Sequence, residues 1–142
     1  MSNKAILDTS FLVGYFDSGD VWHPRASKLT QQMDVEGVIL DCVLNEVFSV
    51  LCRRAQEKRC EGNFNQLIDG VSKEVSRKRI LWAYLRITHY YENIPLLMRQ
   101  HRGKLNFHDC LIAIVAREEN IKKIISFDKD FDKVSWLERI EQ

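Results

Sequence analysis

Hydrophobic positions along the chain fall into two kinds of pattern, short unbroken runs and helical repeats. Lys4–Leu7 is a brief, mostly apolar run ending at Asp8, and it predicts a strand. Ser10 stands where a helix N-cap belongs, and Phe11, Leu12, Val13 and Phe16 supply an apolar helix start. His23 and Pro24 open a second predicted helix, which runs toward Met33, since proline is tolerated in a first turn. Residues 37–40, Gly-Val-Ile-Leu, predict a second strand ending at Asp41. Over residues 43–59, Val43, Val47, Val50 and Leu51 recur at helical spacing, with Glu46 on the same side as Val43 and Val50. Residues 63–75 repeat the pattern with Phe64, Leu67, Ile68 and Val71. Residues 81–88 and 91–102 are also predicted as helices, with Pro95 a candidate break in the second. A loop over 103–107 leads into a helix over 109–119, whose buried side carries Leu111, Ile112, Val115 and Ala116. Residues 121–127 predict a last strand ending at Asp128, followed by a tail with Trp136, Leu137 and Ile140.

The resulting order is strand, helix, helix, strand, helices, helix, strand. That is α/β grammar, a central parallel sheet with helices on both faces. A length of 142 residues predicts a single domain over 1–142 with a core of its own. No internal repeat or low-complexity tract interrupts it. The opening Met-Ser-Asn-Lys-Ala-Ile-Leu-Asp carries no signal-peptide pattern, and no apolar run approaches the length that spans a bilayer. The cysteines, Cys42, Cys52, Cys60 and Cys110, form no C-x-x-C pair and no zinc spacing with histidine. Reduced thiols in a cytoplasmic, non-membrane protein are the expectation.

Net charge, +1 from 21 Lys+Arg against 20 Asp+Glu, neither requires nor excludes a polyanion partner. Distribution says more. Basic side chains crowd at Arg53, Arg54, Lys58 and Arg59, and again at Lys73, Arg77, Lys78 and Arg79. They are candidates for phosphate contacts, with solvated helix faces as the plain alternative. The aromatic group Trp82, Tyr84, Tyr90 and Tyr91 fits a core or subunit interface better than a base-stacking surface.

Acidic residues carry the candidate chemistry. Asp8 and Asp128 end predicted strands, while Glu46 and Asp109 sit near helix N-termini. In an open parallel sheet, strand ends and the helix starts that follow share one edge, where sites gather. Carboxylates brought together there repel one another and call for a hard cation such as Mg²⁺ or Mn²⁺. Each acid also has a local alternative. Asp109 fits a capping box with Asn106 as N-cap, and Asp8 fits a cap of the first helix. Asp128 fits a turn into Asp130 and Asp132, and Glu46 a partner for a buried arginine. Asp41 reads as a helix cap before it reads as a ligand.

The motifs in order are I-L-D-T-S-F-L at Asp8, L-N-E-V-F at Glu46, N-F-H-D-C-L-I-A-I-V-A at Asp109 and I-I-S-F-D-K-D-F at Asp128. With these motifs the chain resembles the PIN-domain family, and in particular its small VapC-type toxins of prokaryotic toxin–antitoxin pairs. The resemblance covers both ends of the chain well and residues 61–103 poorly. It implies a PIN-like three-layer sandwich and a metal-dependent endoribonuclease. Asp8, Glu46, Asp109 and Asp128 would be its catalytic and Mg²⁺- or Mn²⁺-binding acids. Ser10 matches the polar residue that supports the first Asp, Ser126 the hydroxyl before the fourth, and Asp130 stands close enough to assist. The family also implies an RNA substrate, a homodimer and a small antitoxin partner. His108, beside Asp109, is not an expected catalytic residue and reads as a solvent or supporting side chain. Two other readings stay open: a PIN-type nuclease of RNA processing with no toxin role, and a non-enzymatic RNA-binding or assembly module in which the acids are caps.

Overall fold

Strands β1 (Lys4–Leu7), β2 (Glu36–Leu40), β3 (Ile80–Leu81), β4 (Lys123–Ile125) and β5 (Glu138–Ile140) form one sheet in a computed structural model that describes residues 3–57 and 63–142. Their order is β3-β2-β1-β4-β5, and every pairing is parallel. Helices α1 (Thr9–Phe16), α2 (His23–Gln32), α3 (Asp41–Gln56), α4 (Phe64–Glu74), α5 (Ile87–Tyr90), α6 (Asn93–Gln100) and α7 (Phe107–Glu118) flank both faces. The result is the expected three-layer α/β sandwich. Because both faces are covered, the inner strands read as unbroken apolar runs: Ala5, Ile6 and Leu7 in β1 and Ile124 and Ile125 in β4 are all buried. Helix α7 is buried at every residue from Cys110 to Ala116, which makes it a core helix with no wet stripe in its middle. Among the described residues, no helix is long and apolar enough to cross a membrane.

Register sets the geography of the site. Leu7 pairs with Ile125, so Asp8 and Ser126 leave the sheet side by side, and the Asp8 amide donates to the Ile125 carbonyl. Asp8, Asp41 and Asp128 all follow the carboxyl ends of strands, on one edge. Lys4 and Glu36 open their strands on the opposite edge, whereas the short β3 begins only at the level of Ile39.

Several elements differ from the sequence reading. Helix α1 starts at Thr9 with Asp8 in the N-cap position, so Ser10 is a first-turn residue and not the cap. Residues 81–88 are not one helix. They contain the end of β3, a 3₁₀ turn over Tyr84–Arg86 and the start of α5. Pro95 does not break α6; it sits in the first turn, where no helical N–H is needed. The tail adds an edge strand, β5, beside β4.

Asp41 explains the missing helix. Asp41 is not the cap of α3, which is Leu40, but its first residue; its buried carboxylate accepts from the Cys42 amide at 2.9 Å. It also accepts from the amides of Ala83, at 2.7 Å, and Tyr84, at 3.1 Å. Amides taken by a side chain from another element are lost to a local helix. Asp41→Ala should therefore lower unfolding free energy by about 2–3 kcal/mol, because buried N–H groups lose a charged acceptor. Chemical denaturation would measure it, and an unchanged midpoint would refute the anchoring role.

Candidate active site

Asp8 is buried at the turn from β1 into α1. Ser126 donates its hydroxyl to Asp8 Oδ2 at 2.6 Å, and Ser10 Oγ lies 3.5 Å from the same oxygen. The serines in turn accept backbone amides, Ser10 from Phe127 at 2.9 Å and Ser126 from Asp128 at 3.0 Å. These bonds stitch the β1–α1 turn to the end of β4, so both serines support the first acid. Burial pushes the Asp8 carboxyl up to about 7; the Ser126 hydrogen bond opposes this, and the charges of Asp109 and Asp128 add to it.

Asp109 occupies the third position of α7 in a complete capping box. Asn106 accepts from the Asp109 amide at 2.9 Å, and Asp109 Oδ2 accepts from the Asn106 amide at 3.2 Å. The cap does not exhaust its role. Burial raises its carboxyl to about 6, against the Asn106 bond, with help from the charges of Asp128, Glu46 and Asp130. Asp128 likewise takes its local role, accepting from the Asp130 amide at 2.9 Å to start the turn over Lys129–Lys133. Asp130 pairs with Lys133 at 2.9 Å. Among the described residues Glu46 meets no arginine: Thr9 Oγ1 donates to its Oε2 at 3.2 Å, and His108 Nδ1 lies 3.1 Å from its Oε1.

One cleft of about 610 Å³ gathers these acids. Its wall includes Asp8, Asp20, Glu46, Asp109, Asp128 and Asp130, against two cations, Arg54 and Lys104. Arg54 is already paired with Asp17 and Asp20, each at 2.7 Å, so it clamps the α1–α2 loop to α3. Among the described residues, no three His, Cys, Asp or Glu side chains close round an ion as they stand. The donor set still fits a hard divalent cation. It is all oxygen and acidic, and the burial and mutual repulsion that raise Asp8 and Asp109 are what a bound cation would offset.

The basic clusters divide. Arg54 lines the cleft, whereas Arg53 and Lys73 are exposed on α3 and α4. Arg77 sits over the Trp82 ring, 5.8 Å from its centroid. Lys78 and Arg79 line a different cavity of about 380 Å³ with Lys4 and Glu36, at the amino ends of the strands. Lys58 and Arg59 lie outside the described residues, as does Cys60. The sequence reading missed Lys104, which reaches the cleft through a left-handed turn at Arg102 (φ 53°) and Gly103 (φ 76°). A glycine beside a lysine just before the capping box was the available signal. Trp22 was missed too; it lines the cleft and stacks on Phe127 at 4.7 Å.

A family model described as PIN domain matches residues 5–137. The fold is similar to that of Mycobacterium tuberculosis VapC20, described as a sarcin–ricin loop cleaving toxin, with a TM-score of 0.72 and 21% identity over 92% of this chain and 95% of that one. It is also similar to VapBC2 from Rickettsia felis bound to a DNA fragment from their promoter, with a TM-score of 0.66 and 17% identity over 96% and 97% of the two chains. No curated protein matches the sequence at a significant level.

Proposed function

The chain belongs to the PIN-domain family, and we propose that it is a divalent-metal-dependent endoribonuclease that hydrolyses phosphodiester bonds in RNA. The observation that carries this reading is the single cleft lined by Asp8, Glu46, Asp109 and Asp128, with Asp8 raised to about 7 and Asp109 to about 6. Mg²⁺ or Mn²⁺ bound there would supply a nucleophilic water at neutral pH and offset charge on the phosphoryl group under attack. Asp8, Asp109 and Asp128 would hold the ion. Ser10 and Ser126 keep Asp8 aimed, and Asp130 is placed to assist from the rim. Glu46, held at both oxygens, is better suited to orienting the attacking water. The toxin role, with a homodimer and a small antitoxin as partners, is proposed on the motif resemblance to VapC-type chains. The similarity in fold to VapC20 is compatible with it.

Purified protein should cut a mixed pool of structured RNAs in Mg²⁺ or Mn²⁺, leave single-stranded DNA largely intact, and stop cutting in chelator. No cutting by folded, metal-supplied protein would favour the non-enzymatic module. Lys104 is the cleft cation with no acidic partner among the described ion pairs, so it is the best placed to meet a substrate phosphate. In a cleavage-dead Asp109→Asn background, Lys104→Ala should weaken RNA binding several-fold and lower the salt slope by about one. Equal affinity at every salt concentration would remove Lys104 from the substrate path.

A further inference from the structure

Glu46 differs from the other acids in having a side-chain donor on each carboxylate oxygen. One donor, His108, belongs to a longer chain of contacts. His108 Nδ1 is 3.1 Å from Glu46 Oε1, and His108 Nε2 is 3.2 Å from the Tyr84 hydroxyl. Asn45 Nδ2 donates to that hydroxyl at 2.8 Å. The direction of each bond follows from what each group can do. Asn45 gives an N–H to the Tyr84 oxygen. Among the described residues, the Tyr84 proton then has His108 Nε2 as its acceptor in reach. An imidazole that accepts at Nε2 carries its proton on Nδ1, and Glu46 accepts it. The chain therefore runs Asn45, Tyr84, His108, Glu46, with one polarity throughout.

The anchoring of this chain is deep. Asp41 holds the amide of Tyr84, so the carboxylate at the head of α3 positions the phenol that orients His108. Asn45 and Glu46 are neighbours on the same helix, so both ends of the chain are fixed to α3.

We propose that His108 is a positioning residue, which holds Glu46 in one orientation over the cleft through its Nδ1–H while Tyr84 and Asn45 fix the imidazole. Its catalytic consequence rests on the nuclease reading, with Glu46 as the carboxylate that orients the water. Loss of His108 frees one oxygen of Glu46 and lets the carboxylate turn about the remaining Thr9 bond. Substrate and metal contacts stay in place, so the defect falls on turnover.

Two measurements test it. In the first, His108→Leu should lower kcat about tenfold or more with KM little changed, since misplacing a catalytic group is expensive in rate. His108→Asn, whose amide N–H can take the place of Nδ1–H, should restore most of the loss, and Tyr84→Phe should fall between. In the second, ¹⁵N NMR of metal-free protein at pH 8 should show the His108 ring protonated at Nδ1. Its Nε2 signal should shift in Tyr84→Phe, and its Nδ1 signal in Glu46→Gln. Wild-type kcat in His108→Leu, or a ring protonated at Nε2, would overturn the proposal. Failure of the wild-type protein to cut RNA would instead count against the nuclease reading, and the nitrogen signals would then decide the His108–Glu46 contact on their own.

Discussion

Asp109→Asn should reduce RNA cleavage at least a hundredfold while leaving fold and helix cap intact. The two halves of that expectation separate because Asp109 does two things with one carboxylate. As the third residue of α7 it accepts from the Asn106 amide, and an asparagine oxygen can accept the same bond. The amide of residue 109 still reaches Asn106, so the capping box survives. Charge does not survive. Asp109 shares the cleft with Asp8, Glu46 and Asp128; burial first, and then the charges of Asp128, Glu46 and Asp130, raise its carboxyl to about 6. Removing its charge relieves the repulsion among these acids and weakens the hold on a divalent ion. A hundredfold loss corresponds to roughly 3 kcal/mol of transition-state stabilisation. Circular dichroism and thermal unfolding should match the wild type, or show a slightly more stable protein. Undiminished cleavage would remove Asp109 from the site, and a collapsed fold would show that the cap was its main role.

The acids were legible in the sequence because each has a local signature. Asp8 and Asp128 follow short apolar runs that read as strands of a covered sheet, and the Asn106–Asp109 spacing is a capping box. Glu46 stood out as a charge on the apolar side of a helix. What was not legible depends on distant partners. Ile80 and Leu81 form a strand because they lie against Ile39 and Leu40, and Asp41 withdraws the next amides from any helix. Glu138–Ile140 needs β4 beside it in the same way. The role of His108 appears only when α7 is set against α3. Lys78 and Arg79 looked like phosphate contacts by their clustering, yet they line a different cavity, with Lys4 and Glu36, and not the cleft of the acids. Clustering in sequence says that charges are close to each other, not which edge they share. Lys104 carries no cluster, and a turn at Arg102 and Gly103 delivers it to the cleft.

The metal-free protein should lose stability as pH rises from about 4 to about 7, and Asp8→Asn should abolish most of that loss. An unfolded chain ionises Asp8 near its ordinary value of 3.8, whereas the folded protein keeps the proton until about 7. Between those values the folded state binds more protons than the unfolded state, so stability falls with rising pH and the deficit is complete above about 7. Asp109, raised to about 6, adds to the same slope. For Asp8 alone the deficit is on the order of 4 kcal/mol. An asparagine there carries no charge, and its oxygen can still accept from Ser126 as Asp8 Oδ2 does. In EDTA at pH 8, Asp8→Asn should melt on the order of 10 °C above the wild type. The two should converge near pH 4. Saturating Mg²⁺ should raise the wild-type melting temperature at pH 8 and scarcely move the variant, because a ligand stabilises only the state that binds it. The more stable protein should be the inactive one, since the buried negative charge that weakens the empty cleft is what would hold the ion. A melting temperature flat from pH 4 to pH 8 in the metal-free wild type would mean that Asp8 ionises freely and that the cleft carries no such strain.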